Sequence, residues 1–480
     1  MIAMKRRRLL TTVALVALLL FAPRADAYSL LTHEQLIDLT WQNSIVPLLL
    51  SRYPGLTAAQ LQEARAYAYG GCVIQDIGYY PFGDSRFSNL THYVRSGDFV
   101  VNLLRNAQNA DELAFAIGAL SHYIGDSIGH ATATNLAVPQ DFPKLRRKYG
   151  LVVSYAEGRR QHVQTEFGFD IDQVAHHRMA PLRFLRHVGM RVPVRQLALA
   201  YYQTYGLTED FSVVKGRRFN VPGYRFATRA FIPRIAYAVT LLHRNREPAD
   251  PNNAEFQELL KEIDVANAEN NWNAYRTKAG IETYALAGVL AVLPRVGPLR
   301  LVAVKDPSKA TEADYVHSLT LSLAVMRAML ARLTPPESRK PIESATAPKA
   351  FSRRLLAQML EDPAMSDVVL IEPNDPRHPL PNRDLDTGYV VQPGGYPLTD
   401  STYADLLRRL ARRPTQPIPP GIKDDIEAYY ANADAPITTK RDPKRWAQVE
   451  ADLKTLATMQ TSQAPEPYPT YADNIEEEDQ

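Results

Sequence analysis

The sequence predicts an all-α protein, a multi-helix bundle followed by a proline-rich, partly helical C-terminal region. Helix-length segments with apolar residues at helical spacing recur along the 480 residues, and glycine, proline or polar breaks separate them. Helices stacked on helices are the architecture such a series closes into. Cys72 is the single cysteine, so no disulfide within the chain can staple the fold, and stability must come from the core and from whatever the polar clusters hold. With 45% hydrophobic and 22% charged residues, the chain suffices for one large domain or two, and a net charge of +3 is too small to imply nucleic-acid binding by itself.

At the start, Met1 to Arg8 is basic, Leu9 to Ala22 is apolar, and Arg24-Ala25-Asp26-Ala27 is a small-residue cleavage site. Residues 1–27 therefore read as a signal peptide, of Sec or twin-arginine type, whose apolar run is too short to span a bilayer comfortably. The expectation is a secreted or periplasmic protein that begins at Tyr28. The sequence shows no further long apolar run, so no transmembrane segment is expected in the mature chain.

The next helix is expected over Glu34 to Leu50, with Trp41, Leu48 and Leu49 on its apolar side and Pro47 interrupting it. Thr57 is a suitable N-cap for Ala58 to Tyr69, and Gly70-Gly71 ends that run. A glycine-bounded turn follows, containing Asp76, and Thr91-His92-Tyr93 is expected to open another helix. Tyr79, Tyr80 and Phe82 between them would line a cleft or fill core.

The apolar run Leu113 to Leu120 leads into Leu120-Ser-His-Tyr-Ile-Gly-Asp-Ser-Ile-Gly-His130, which sets His122, Asp126 and His130 at i, i+4 and i+8. On a helix these three project from roughly one face and offer the ligand types that zinc takes. Gly118, Gly125 and Gly129 each cost about 1 kcal/mol against alanine in a free helix, and close packing around a metal is one way to offset that. A buried polar face with satisfied histidines is the alternative. His162 and Glu166 repeat the four-residue spacing within Gly158 to Glu166. Between them, Lys144 to Lys148 is a basic run that reads as a solvated loop or as an attractor for an anionic phosphate.

Further helices are expected over Val194 to Tyr205, Arg225 to His243, Glu255 to Tyr275, Glu282 to Val292 and Glu312 to Leu333. The proline-rich stretch Thr334 to Pro341 places a domain boundary there, giving a helical domain over 28–335 and an accessory region over 336–480. In the latter, Phe351 to Leu360, Tyr403 to Leu410, Lys423 to Ala431 and Pro443 to Met459 read as helices between proline-rich links that carry no catalytic signal. His176, His177, His187, His243, His317 and His378 are expected to be structural or surface residues, with His176 and His177 nearest to being missed ligands.

Taken in order, His33, Asp76, His92, His122-x3-Asp126-x3-His130 and His162-x3-Glu166 form a string that resembles the zinc-dependent phospholipase C and S1/P1 nuclease superfamily. Its members are all-helical enzymes in which such a string and the mature N-terminal residue hold three zinc ions. The resemblance implies up to three zinc ions here: one on His92, His122, Asp126 and Asp76, a second on His130, His162 and Glu166, and a third on Tyr28, His33 and the shared Asp126. Tyr28 stands where the family has Trp, and chelation by backbone amine and carbonyl does not need the indole. Asp76 takes the place of the family's general base, and Asp126 that of a shared carboxylate. His130 follows Asp126 by four residues rather than six, which is the pattern of a broader bacterial branch.

What the resemblance implies is an exported phosphodiester hydrolase, foremost a phospholipase C acting on glycerophospholipids through metal-activated water, in transient contact with a membrane surface. An S1/P1-type nuclease or nucleotidase is the alternative, with nucleic acid as its partner. A metal-stabilised binding protein without turnover is the third reading.

Overall fold

The computed structural model describes residues 30–79, 83–176, 178–179, 184–186, 190–209, 211, 221–226, 228, 232–242, 253–269, 276–278, 280–292, 305–335, 377–432 and 434–462. Among these residues the protein is a helical bundle, as its sequence predicts. The exception is a two-stranded antiparallel ribbon that pairs Phe184–Arg186 with Arg276–Lys278.

The first helices are α1 (Leu30–Thr40), α2 (Val46–Arg52), α3 (Ala58–Gly71), α4 (Ser85–Tyr93), α5 (Ser96–Asn106) and α6 (Ala110–Gly129). The expected Glu34 to Leu50 helix is split by a π turn over Trp41–Ile45, which absorbs the entry of Pro47 into the first turn of α2. Thr57 caps α3 in a reciprocal capping box with Gln60. Asn109 caps α6, its Oδ1 accepting from Glu112 N at 2.9 Å.

Helix α6 is the axis of the bundle, since from Ala114 to Gly129 every residue is buried. It packs most extensively on α3, and the two backbones nearly touch. A Cβ on Gly118 would lie 2.2 Å from Ala68 O, and one on Gly71 would lie 2.0 Å from Phe115 O. The glycine-rich character of α6 therefore has two causes rather than the one expected: Gly118 serves helix packing, whereas Gly125 faces the His33 ring, and a Cβ there would lie 3.2 Å from its Nδ1.

A π turn over His130–Thr134 ends α6, followed by α7 (Asn135–Asp141), α8 (Pro143–Tyr149) and α9 (Tyr155–Ala175). The basic run thus forms a short helix with exposed arginine and lysine side chains. Beyond lie α10 (Val194–Tyr205), α11 (Val221–Phe226), α12 (Ile232–Leu242), α13 (Ala254–Glu269), α14 (Ile281–Val292) and α15 (Lys309–Leu333). By length and composition α15 passes as a membrane span, but it packs against α6 and most of its surface is buried in the core.

After residue 376 come α16 (Pro397–Ala411), α17 (Pro420–Ala431) and α18 (Pro443–Thr458). Their apolar residues Leu406, Leu407, Ile422 and Leu456 belong to the same buried cluster as Phe115, Ile117 and Leu120 of α6. The described residues on the two sides of the expected boundary thus share one core. The expected helix over Phe351 to Leu360 lies outside the described residues.

Candidate metal centre

Five elements converge on one buried point. His33 lies on α1, whose N-terminus is tied down by Asp170 of α9: Leu31 N and Thr32 N donate to its carboxylate at 2.9 and 3.1 Å, and Thr32 Oγ1 at 2.6 Å. Asp76 sits on a 3-10 turn, Ile74–Gly78. His92 is not at the opening of a helix, as expected, but in the last turn of α4, because Asp84 caps that helix eight residues earlier and the chain turns extended at Val94. His122 and Asp126 occupy successive turns of α6, with His130 just past its end. His162 and Glu166 occupy successive turns of α9, beyond a break in helical geometry at Gly158.

These eight side chains are buried, none more than 2% exposed. One ligand atom each from Asp76, His92, His122 and Asp126 lies within 4.8 Å of all the others, and the same holds for His130, His162 and Glu166. Asp126 faces both ways. Its Oδ2 is 3.0 Å from His122 Nε2 and 3.3 Å from His92 Nε2, while its Oδ1 is 3.1 Å from His33 Nε2 and 3.9 Å from His130 Nε2. Glu166 Oε1 lies 2.9 Å from His162 Nε2 and 3.0 Å from His130 Nε2.

The proton bookkeeping of the rings shows what the site lacks. His92 Nδ1 donates to Ser88 O at 2.7 Å, His122 Nδ1 to Cys72 O at 3.1 Å, and His130 Nδ1 to Leu385 O at 2.9 Å. Each neutral ring then presents a bare Nε2 lone pair inward. Nε2 of His92 and Nε2 of His122 are only 3.4 Å apart, and no aligned hydrogen bond reaches the carboxylate oxygens of Asp76, Asp126 or Glu166. Lone pairs facing lone pairs and carboxylates in a buried space need a cation between them.

Without a metal, that deficit is met by protons. Burial opposes charge on His92 and His130, but Asp126, with Asp76 beside the first and Glu166 beside the second, outweighs it and pushes both rings up to about 10. Burial raises Asp76 to about 6, against the pull of His122 and His92. Burial likewise opposes ionisation of Asp126, yet His122, His130 and His33 hold its carboxyl well below the usual range. The donor set, imidazole nitrogen and carboxylate oxygen in two groups linked by one carboxylate, fits a multinuclear zinc centre.

Other residues singled out in the sequence fall elsewhere. Tyr28, Tyr80, Phe82, His177, His187 and His243 lie outside the described residues. Tyr79 is buried with its ring 5.4 Å from that of His92, and its hydroxyl donates to Asn89 Oδ1, so core rather than cleft lining describes it. His176 bonds Asp172 O, and His317 pairs with Glu255. His378 joins Asp98 and Asp425 in a third group with metal-binding spacing, formed outside the string. Asp170 and Leu385 were invisible from sequence, because their partners lie 139 and 255 residues away and no local pattern marks such contacts.

Residues 32–209 match the sequence family described as zinc dependent phospholipase C. That segment holds all eight side chains of the centre, and over it the chain is similar to this family of zinc-dependent hydrolases. No curated protein and no solved structure matches the chain.

Proposed function

We propose that the protein is an exported phosphodiester hydrolase that acts as a phospholipase C, cleaving glycerophospholipids to diacylglycerol and a phosphorylated headgroup. The observation that carries this reading is Asp126, whose two buried oxygens each face a different pair of imidazoles. The family match over residues 32–209 supports a phospholipid as substrate class.

In this reading His92, His122, Asp76 and Asp126 hold one zinc ion, and His130, His162 and Glu166 hold a second. His33 and Asp126, with the amine and carbonyl of Tyr28, hold a third. Zinc in such a site supplies Lewis acidity toward phosphoryl oxygens and an acidified water. The chain's own residues do the rest. Asp126 links the two ligand groups and would be shared between their ions, and backbone carbonyls keep three rings in the tautomer that offers Nε2. Asp76 stands 3.3 Å from His92 Nε2, where a carboxylate can take up a proton released during attack on phosphorus.

The purified protein should release phosphocholine from phosphatidylcholine vesicles and leave single-stranded DNA intact. Cleavage of DNA with no lipid turnover would transfer the site to the nuclease reading. Export rests on the signal-like residues 1–27 and bears on the third ion, since only a free Tyr28 amine can donate to metal. A form carrying Met before Tyr28 should bind one zinc fewer than a form beginning at Tyr28 and hydrolyse a chromogenic phosphodiester more slowly. Equal zinc and equal rates would remove Tyr28 from the site.

A further inference from the structure

The family match ends at residue 209, but the packing of the metal centre does not. The segment from Pro381 to Gly388 lies directly against it. Leu385 N donates to His92 O at 3.1 Å, while Leu385 O accepts from His130 Nδ1 at 2.9 Å, so one residue touches a ligand from each metal group. Gly388, at φ +76°, approaches α6 so closely that a Cβ would lie 2.2 Å from Ser127 O, next to Asp126.

What holds this segment is the carboxylate of Asp386, itself only 3% exposed. Its Oδ2 accepts from Tyr93 Oη at 2.9 Å and from Tyr396 Oη at 2.6 Å. Its Oδ1 stands 3.9 Å from His130 Nδ1, and its backbone carbonyl accepts from Asn135 Nδ2 at 2.7 Å. Burial holds both phenols well above their ordinary range, so each keeps its proton to donate. Tyr93 follows His92, Asn135 closes the π turn that begins with His130, and Tyr396 Oη accepts from Ala156 N in the first turn of the helix that carries His162 and Glu166. Elements carrying ligands of both groups are thus braced on one carboxylate.

We propose that Asp386 is a positioning residue for the metal centre: braced by Tyr93 and Tyr396, it holds the Leu385 carbonyl on His130 Nδ1 and so completes, from the C-terminal region, the zinc group of His130, His162 and Glu166. A carboxylate and a carbonyl behind one imidazole fix its ring orientation and raise its basicity as a ligand, and loss of such a partner typically weakens metal binding about 10- to 100-fold. The inference rests on the reading of His130 as a zinc ligand.

The test compares the wild-type protein with Asp386→Asn, which keeps the shape and removes the charge, and with Tyr93→Phe, which removes one bracing hydroxyl. Zinc affinities are read by competition with a chromogenic chelator, and ring geometry by the visible spectrum of the cobalt(II)-substituted protein. One zinc per chain should bind about 10- to 100-fold more weakly in Asp386→Asn. Tyr93→Phe should give a smaller loss at the same ion, the cobalt bands should shift, and the remaining zinc should keep its affinity. If Asp386→Asn fails to fold, Tyr93→Phe decides alone. Unchanged affinities and cobalt spectra in the folded variants, or equal weakening of all ions, overturn this inference while leaving the metal centre in place. A wild-type protein that binds no zinc overturns both.

Discussion

Two clusters in this molecule have nearly the same composition and opposite character. Asp98, His378 and Asp425 have the spacing of metal ligands, as do the residues around Asp126. In the former, Arg95 Nε lies 2.9 Å from Asp98 Oδ2 and 2.7 Å from Asp425 Oδ2, and both ring nitrogens of His378 face carboxylates, at 2.9 and 3.2 Å. The cluster brings its own cations, and the hydrogen bonds that His378 donates to the two carboxylates push it up to about 10. Among the described residues no guanidinium pairs with Asp126, and the Nδ1 protons of His92, His122 and His130 are turned outward to backbone carbonyls. Residue types alone do not separate an ion-pair hub from a metal site; the direction in which each imidazole spends its proton does.

The contrast is broken most severely at Asp126. Asp126→Asn should release more than one zinc, because the carboxylate faces both groups, and should cut turnover by roughly three orders of magnitude or more. Retention of full zinc by this variant would show that Asp126 does not bridge. Chelation should come next in size. Stripping zinc leaves only protons to stand between the buried rings and carboxylates, a weaker link than the ions, so the melting temperature should fall by about 10 °C or more, an effect that His378→Ala should leave untouched because its cluster needs no ion. An unchanged melt in strong chelator would mean that the histidines are satisfied without metal.

Acidity sharpens the same contrast. In the metal-free centre His92 and His130 hold protons up to about pH 10, so zinc must displace them. Zinc affinity should therefore climb with pH, by up to about tenfold per unit for each proton released, and isothermal titration in buffers of different ionisation enthalpy would count those protons. At the other cluster the sign reverses. The folded-state value for His378 is raised above its unfolded one, so its stabilising contribution is full below about pH 6.5 and fades as pH rises through about 10. His378→Ala should accordingly lower the melting temperature by a few degrees at neutral pH and by nothing measurable above pH 10, and an equal loss at both would assign it a packing role.

The sequence carried the helical class and the complete side-chain string, because four-residue spacings and apolar periodicity are local signals. Val194 to Tyr205 was legible to the residue, since Gly206 in the left-handed conformation ends it. Less visible was whatever depended on partners distant in the chain. The place of His92 in the last turn of its helix depends on the N-cap Asp84, eight residues earlier, which the His92 segment itself does not mark. For Gly118, packing around a metal was one candidate cause, and the close approach of the α3 backbone is the one the structure shows. The Leu385 carbonyl and Asp386 come from a proline-rich segment whose own pattern says only that it is a loop.

The central claim is that the imidazole and carboxylate string is a zinc centre with more than one ion. Elemental analysis of the protein beginning at Tyr28, purified without chelator, tests it most directly. Two to three zinc ions per chain, falling together in Asp126→Asn and persisting in His378→Ala, is the result expected. One ion or none in the wild-type protein, or the same count in Asp126→Asn, would contradict it.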